Sequence, residues 1–319
     1  MSRRARLILV SAIALAAALG VAAGAALVGR GDAGEEKPKG VPPFVVDLGV
    51  RNDPEARALR RASSAYDREQ RARAARILAG RTSLQARVGQ ALASWPDESR
   101  ARLEELAREH PRSGAVLFHL GLARFWDGDR DGAVDAWQAT RTRDPDSAYA
   151  IRASDLLYRD FARGIPVFIP SFALDPKLQR LSPQRQLAEL ARGARGSNVR
   201  GKLLYGIALQ RLERPVSARR EYAAAARLAP TNPEALVANA VGRFDKARPE
   251  RAFSRLGPLS RRFPRAATVR FHLGLLLLWI GQLDEARRQL RIAAQQRDSS
   301  LAREANRLLA RLEDVRKPK

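Results

Sequence analysis

Residues 199–232 read VRGKLLYGIALQRLERPVSARREYAAAARLAPTN, residues 233–266 read PEALVANAVGRFDKARPERAFSRLGPLSRRFPRA, and residues 267–300 read ATVRFHLGLLLLWIGQLDEARRQLRIAAQQRDSS. Aligned one above another, the three lines share columns. Gly206, Ala240 and Gly274 form one, each 34 residues after the last. Ala218, Ala252 and Ala286 form a second, Tyr222, Leu256 and Leu290 a third, and Pro230 and Pro264 a fourth. Self-similarity at a fixed period marks an architecture of stacked supersecondary units. Small side chains belong where two backbones approach closely. A proline cannot continue a helix and turns the residue before it away from helical geometry. Carried backward, the same columns hold Gly121, Ala133, Trp137 and Pro145, and the pentapeptide at 118–122, FHLGL, recurs unchanged at 271–275.

These columns, in phase over several units, resemble the tetratricopeptide repeat. The resemblance implies two antiparallel helices per unit, A and B, with Gly or Ala at the eighth and twentieth positions where they press together. A large apolar residue at the twenty-fourth enters the space between units. The expected fold is all-α, a tetratricopeptide-type α-solenoid, with repeats near 114–147, 148–198, 199–232, 233–266 and 267–300. Gly121 and Gly206 lie 85 residues apart, two and a half periods, so the 148–198 repeat carries an insertion. The proline-rich stretch 163–181 is that insertion, between a helix A at 148–161 and a helix B opening at Ser182-Pro183. A helical region with a degenerate repeat fills 53–113, where Arg87 and Ser99 stand in the small-residue columns. Residues 301–319 supply a capping helix through Ala305, Leu308, Leu309 and Leu312, then a basic tail. A stack of repeats needs such a cap over its last apolar face.

The first thirty residues are different in kind. Residues 1–6 are basic, through Arg3, Arg4 and Arg6, and residues 7–29 carry no charge. A helix of that length spans roughly 34 Å at about 1.5 Å per residue, enough for a hydrocarbon core of about 30 Å. The reading is an uncleaved transmembrane helix, with the arginines keeping the N-terminus cytoplasmic and the repeats extracytoplasmic. A cleavable signal peptide ending near Ala23-Gly24-Ala25 is the alternative. Residues 30–52 form a linker, with a short extended segment from Phe44 to Val50. The expected location is a bacterial cell membrane, crossed once.

The chain of 319 residues has 58 basic and 34 acidic residues, a formal charge of +24, and no cysteine. Disulfides, thiolate metal sites and cysteine nucleophiles are excluded. An arginine excess this large reflects either a GC-rich genome or attraction to anionic surfaces. Among motifs with chemistry, a zinc-protease pair, a phosphate loop and a nucleophile elbow are all missing from the sequence. Asp127, Asp129 and Asp131 open like a calcium loop, but no acidic residue closes it at the twelfth position, so turn and cap chemistry is expected. His119 and His272 share one position of helix A and read as packing residues. No enzyme activity, metal or cofactor is expected.

The resemblance places a binding groove on the concave face lined by helix A. The residues at its lining positions are Phe118, Leu122, Phe125, Leu203, Ile207, Val237, Val241, Phe244, Phe271, Leu275 and Leu278. Family members that clamp a carboxylate terminus carry Lys, Asn and Arg there, and this chain does not. An apolar groove suits an amphipathic helix or an extended hydrophobic peptide. Equally, the chain's own residues 165–172 could fill it. The expected function is a membrane-tethered scaffold for another protein in envelope or membrane-complex assembly. The alternative is a charge-driven binder of anionic lipid or envelope polymer. Nucleic acid is not an expected partner.

Overall fold

The structure is a computed structural model that describes residues 38–296 and 300–314. The expected basic N-terminus, the transmembrane segment 7–29, the first part of the linker and the basic tail lie outside the described residues. Within the described residues all regular structure is helical, in sixteen helices. Two compact units divide the chain between Leu157 and Tyr158.

The first unit holds α1 (Pro54–Tyr66), α2 (Arg71–Leu78), α3 (Leu84–Ala93), α4 (Ser99–Glu109), α5 (Gly114–Asp127), α6 (Arg130–Arg143) and α7 (Ala148–Leu157). Consecutive helices pair as antiparallel hairpins, and α1, α3, α5 and α7 also pack on one another as an inner layer. The boundaries follow local chemistry. Asp53 accepts the Ala56 N–H at 2.9 Å and Pro54 opens α1, while Ser83 and Ser113 cap α3 and α5. Gly128 ends α5 in the left-handed region at φ 93°. Asp129 then accepts the Gly132 N–H at 2.9 Å and starts α6, while Arg100 pairs with it at 3.0 Å. The aspartate cluster is thus helix punctuation.

The second unit holds α8 (Pro176–Gln179), α9 (Pro183–Gly193), α10 (Val199–Arg211), α11 (Pro215–Leu228), α12 (Pro233–Val241), α13 (Glu250–Arg262), α14 (Ala267–Trp279), α15 (Leu283–Ala294) and α16 (Ser300–Asp314). Here α10, α12, α14 and α16 form the inner layer. Leu301, Ala305, Leu308 and Leu312 of α16 are buried in one cluster with Leu290 of α15 and Phe271 of α14. The interrupted repeat expected at 148–198 has its two helices in different units. Helix α7 ends at Leu157, short of 161, and pairs with α6, whereas α9 pairs with α10. The chain after Leu157 is too rich in glycine and proline to extend α7 toward α9.

The glycine column has a direct physical cause. A Cβ on Gly121 would stand 2.4 Å from Trp137, one on Gly206 2.4 Å from Tyr222, and one on Gly274 2.8 Å from Leu290. Each glycine of helix A therefore faces the twenty-fourth-position side chain of its own hairpin. For Gly274 the Ala286 carbonyl also lies 3.2 Å away. Gly274→Leu and Ala286→Leu are each expected to destabilise the fold by about 1–3 kcal/mol or more through overpacking. Unchanged thermal unfolding in both variants would refute the register.

Candidate functional site

Each inner layer is crossed by an extended stretch of the chain itself. In the first unit this is residues 41–48, in which Phe44 is 2% exposed. All four inner helices hold it. From α1, the Tyr66 hydroxyl donates to the Pro42 carbonyl at 3.0 Å and the Ser63 hydroxyl to the Phe44 carbonyl at 3.1 Å. From α5, His119 Nε2 accepts the Val45 N–H at 3.0 Å. From α3 and α7, the Gln85 amide donates to the Asp47 carbonyl at 2.8 Å and the Tyr149 hydroxyl accepts the Asp47 N–H at 3.1 Å. The Phe44 ring lies over Gly89 of α3, where a Cβ would stand 2.5 Å from its tip. Gly89, rather than Arg87, is the close-approach residue of that degenerate unit.

In the second unit the crossing stretch is residues 166–173, and Phe168 has no exposed surface. From α10, the Gln210 amide donates to the Pro166 carbonyl at 2.9 Å and its Oε1 accepts the Phe168 N–H at 3.1 Å. From α14, His272 Nε2 accepts the Ile169 N–H at 2.9 Å. From α12, the Glu234 carboxylate accepts the Ser171 N–H at 3.3 Å, and from α16 the Ser300 hydroxyl donates to the Ser171 carbonyl at 2.9 Å. Tyr222 fixes Gln210 by donating to its Oε1 at 2.9 Å.

The two arrangements keep one register. Pro42, Phe44, Val45 and Asp47 correspond to Pro166, Phe168, Ile169 and Ser171, each pair 124 residues apart. In both, the first inner helix binds the proline carbonyl and the backbone of the phenylalanine. The third binds the N–H of the following β-branched residue through the histidine of FHLGL. The stretches thus share the pattern Pro-x-Phe-(Val/Ile), read by backbone bonds and one aromatic pocket.

The histidines work as acceptors because of their own helices. His119 Nδ1 lies 2.6 Å from the Ala115 carbonyl and His272 Nδ1 2.7 Å from the Thr268 carbonyl, each one helical turn back. A carbonyl can only accept, so Nδ1 carries the proton and Nε2 is left with a lone pair for the incoming N–H. Burial pushes both imidazoles down to about 4. The carbonyl bonds oppose that shift, and for His119 the charge of Arg152 reinforces it. Phe168 stacks on His272 at 5.0 Å and meets Tyr222 edge-on at 5.8 Å, and Phe44 meets Tyr66 edge-on at 6.1 Å. Burial raises the Glu234 carboxyl, with the Ser171 bonds pulling it back down.

Of the eleven groove residues named from sequence, nine are buried, and Phe125 and Phe244 are half-buried. Phe118 and Leu122 are buried with Val45 against them, and Phe125 is half-buried between Trp126 and Trp137. Leu203, Ile207, Val237 and Val241 share a buried cluster with Phe168. Phe271, Leu275 and Leu278 are buried with Ile169 and the half-buried Phe244 packed on them. The chain covers this apolar face itself, over residues 41–48 as well as within 165–172. From sequence His119 and His272 were packing residues only, and Gln210, Tyr149 and Gly89 were given no role. The recurrence of FHLGL was the visible signal for the histidines.

Residues 115–147, which span α5 and α6, match the family model for the tetratricopeptide repeat. That segment is thus similar to one tetratricopeptide repeat, in the place where the columns predict one. Among solved structures it is similar to a tetratricopeptide repeat protein from Parabacteroides merdae, at 12% identity and a TM-score of 0.35, over 81% of this chain and 98% of that one. It is also similar to yeast Tom70, at 14% identity and a TM-score of 0.32, over 92% of this chain and 69% of that one. No curated protein matches the sequence.

Proposed function

We propose that this protein is a scaffold that binds other polypeptides, tethered to a membrane by residues 7–29 and working on the extracytoplasmic side in the assembly of envelope or membrane complexes. The observation that carries the binding role is the inner layer of each unit. Four helices there hold an extended chain by its backbone, with an aromatic anchor between them. Tethering rests on the uncharged run 7–29 behind three arginines. No helix of the described residues is long and apolar enough to cross a membrane. Binding rather than catalysis is proposed, with no cofactor. A reporter active only after export, fused behind Lys319, is expected to give signal; activity confined to a cytoplasmic reporter would refute the topology. Crosslinking in native membranes is expected to yield a specific partner protein.

A second reading has its own observation. Arg243 is pushed down by burial and by the charges of Arg255, Arg219 and Arg251, and among the described residues its Nε has no hydrogen-bond partner. Arginines that lower one another's basicity in this way suit an anionic lipid headgroup or envelope polymer. Such binding falls steeply with rising salt, whereas binding in an apolar groove holds.

A further inference from the structure

Two independent copies of one arrangement separate what the groove requires from what is incidental. In both units the bound stretch is extended, carries phenylalanine in the aromatic pocket, and offers the next residue's N–H to a buried imidazole nitrogen. Two positions before the phenylalanine, the carbonyl of a proline is the acceptor. The residue after the phenylalanine is β-branched, a type that favours extended backbone. It cannot be proline, because proline has no N–H to give. Side chains at the intervening positions, Pro43 against Val167, differ freely.

The copies differ in how the stretch is tied. Residues 166–173 run between α7 and α8 and continue into helices of the second unit on the C-terminal side, where Asp175 caps α8. Residues 41–48 precede every described helix and join α1 through residues 49–53, a turn closed by the Arg51 N–H on the Leu48 carbonyl at 2.9 Å. Side chains of Ser63, Tyr66, Gln85, His119 and Tyr149 bond residues 41–48 to the helices. Departure of the stretch would break these side-chain bonds and uncover the apolar surface around Phe44 and Leu48, but would break no helical hairpin.

We propose that the inner groove of the first unit is an exchangeable binding site for an extended segment of another protein with the pattern Pro-x-Phe-(Val/Ile), and that residues 41–48 are its built-in occupant. The second unit's groove is the same site closed by a permanently tethered occupant. This rests on the scaffold reading and names the chemistry of its ligand. Gly89 sets the depth of the phenylalanine pocket, and His119 reads the free N–H that follows.

The test uses the full chain in detergent and a fluorescein-labelled peptide with the sequence of residues 40–50, GVPPFVVDLGV. Phe44→Ala weakens the built-in occupant, so the variant is expected to bind the peptide at least tenfold more tightly than the unaltered chain. A peptide with serine in place of its phenylalanine, or with proline in place of the valine that follows, is expected to bind at least tenfold more weakly. Gly89→Val in the Phe44→Ala background is expected to abolish binding. A folded Phe44→Ala protein that binds no peptide, or binds all three alike, would overturn the proposal. If Phe44→Ala does not fold alone, the peptide is expected to restore its thermal transition in a dose-dependent way, and no restoration would equally overturn it. A partner crosslinked in native membranes while the peptides fail would leave the scaffold reading standing and remove this one.

Discussion

Phe168→Ala is expected to destabilise the second unit by about 3–5 kcal/mol, the usual range for truncating a buried aromatic. The ring has no exposed surface, stacks on His272 at 5.0 Å and shares one cluster with Leu203, Ile207, Val237 and Val241. Removing it opens a cavity over four inner-layer side chains and leaves the bond between Ile169 and His272 without the packing that shields it from water. Phe172→Ala is the comparison. That ring is half-buried under the Arg200 guanidinium at 4.8 Å, and about 1 kcal/mol is expected from its loss. Denaturant unfolding followed by circular dichroism measures both. Equal, small effects would mean that residues 166–173 rest on the helices without being part of their core.

Acidification from pH 6.5 to pH 4 is expected to remove about 3 kcal/mol of stability for each of His119 and His272. Both imidazoles are fully buried and sit at about 4 in the fold, against an ordinary value of 6.5. Between those values the unfolded chain binds more protons than the folded one, so stability falls as pH falls through that window and levels off below it. The mechanism is specific to the site. A protonated Nε2 donates, so it repels the N–H of Val45 or Ile169 that it holds at neutral pH. Glu234 acts in the opposite sense, because a carboxyl raised by burial favours the fold on acidification. Comparison with His119→Gln and His272→Gln isolates the histidines, since an amide oxygen still accepts and does not titrate. Denaturant midpoints at pH 7 and pH 4 are expected to converge in the double variant. An unaltered pH slope would show that neither imidazole is the acceptor.

Much of this architecture was legible along the chain because its causes are local or periodic. The small residue of the Gly206 column is required by a side chain sixteen positions later in the same hairpin, Tyr222 at 2.4 Å, so the requirement recurs with every hairpin. Ser83, Ser113, Asp129, Ser182 and Asn232 end or begin helices by bonding backbone two or three residues away. Such signals survive in a single sequence. The apolar character of Phe118, Leu203 and Phe271 was equally plain, and so was their place on helix A.

Which chain would cover that face was a different kind of fact. The bond from Val45 to His119 spans 74 residues and that from Ile169 to His272 spans 103, so no local pattern links the partners. From sequence, Phe44 opened a short extended segment, residues 163–181 formed a proline-rich insertion of which 165–172 was one of two candidate occupants of the groove, and the histidines were packing residues. None of these descriptions joined a stretch to the histidine that receives it. The pattern Pro-x-Phe-(Val/Ile) has meaning only once two grooves are seen to hold it in one register. The sequence alone determined the repeat, the helices and the apolar inner layer, because backbone approach and capping act over one hairpin. Only the tertiary structure decided the division after Leu157, the chain that fills each groove and the role of each imidazole. Those depend on which distant backbone N–H arrives at a lone pair that burial has kept from water.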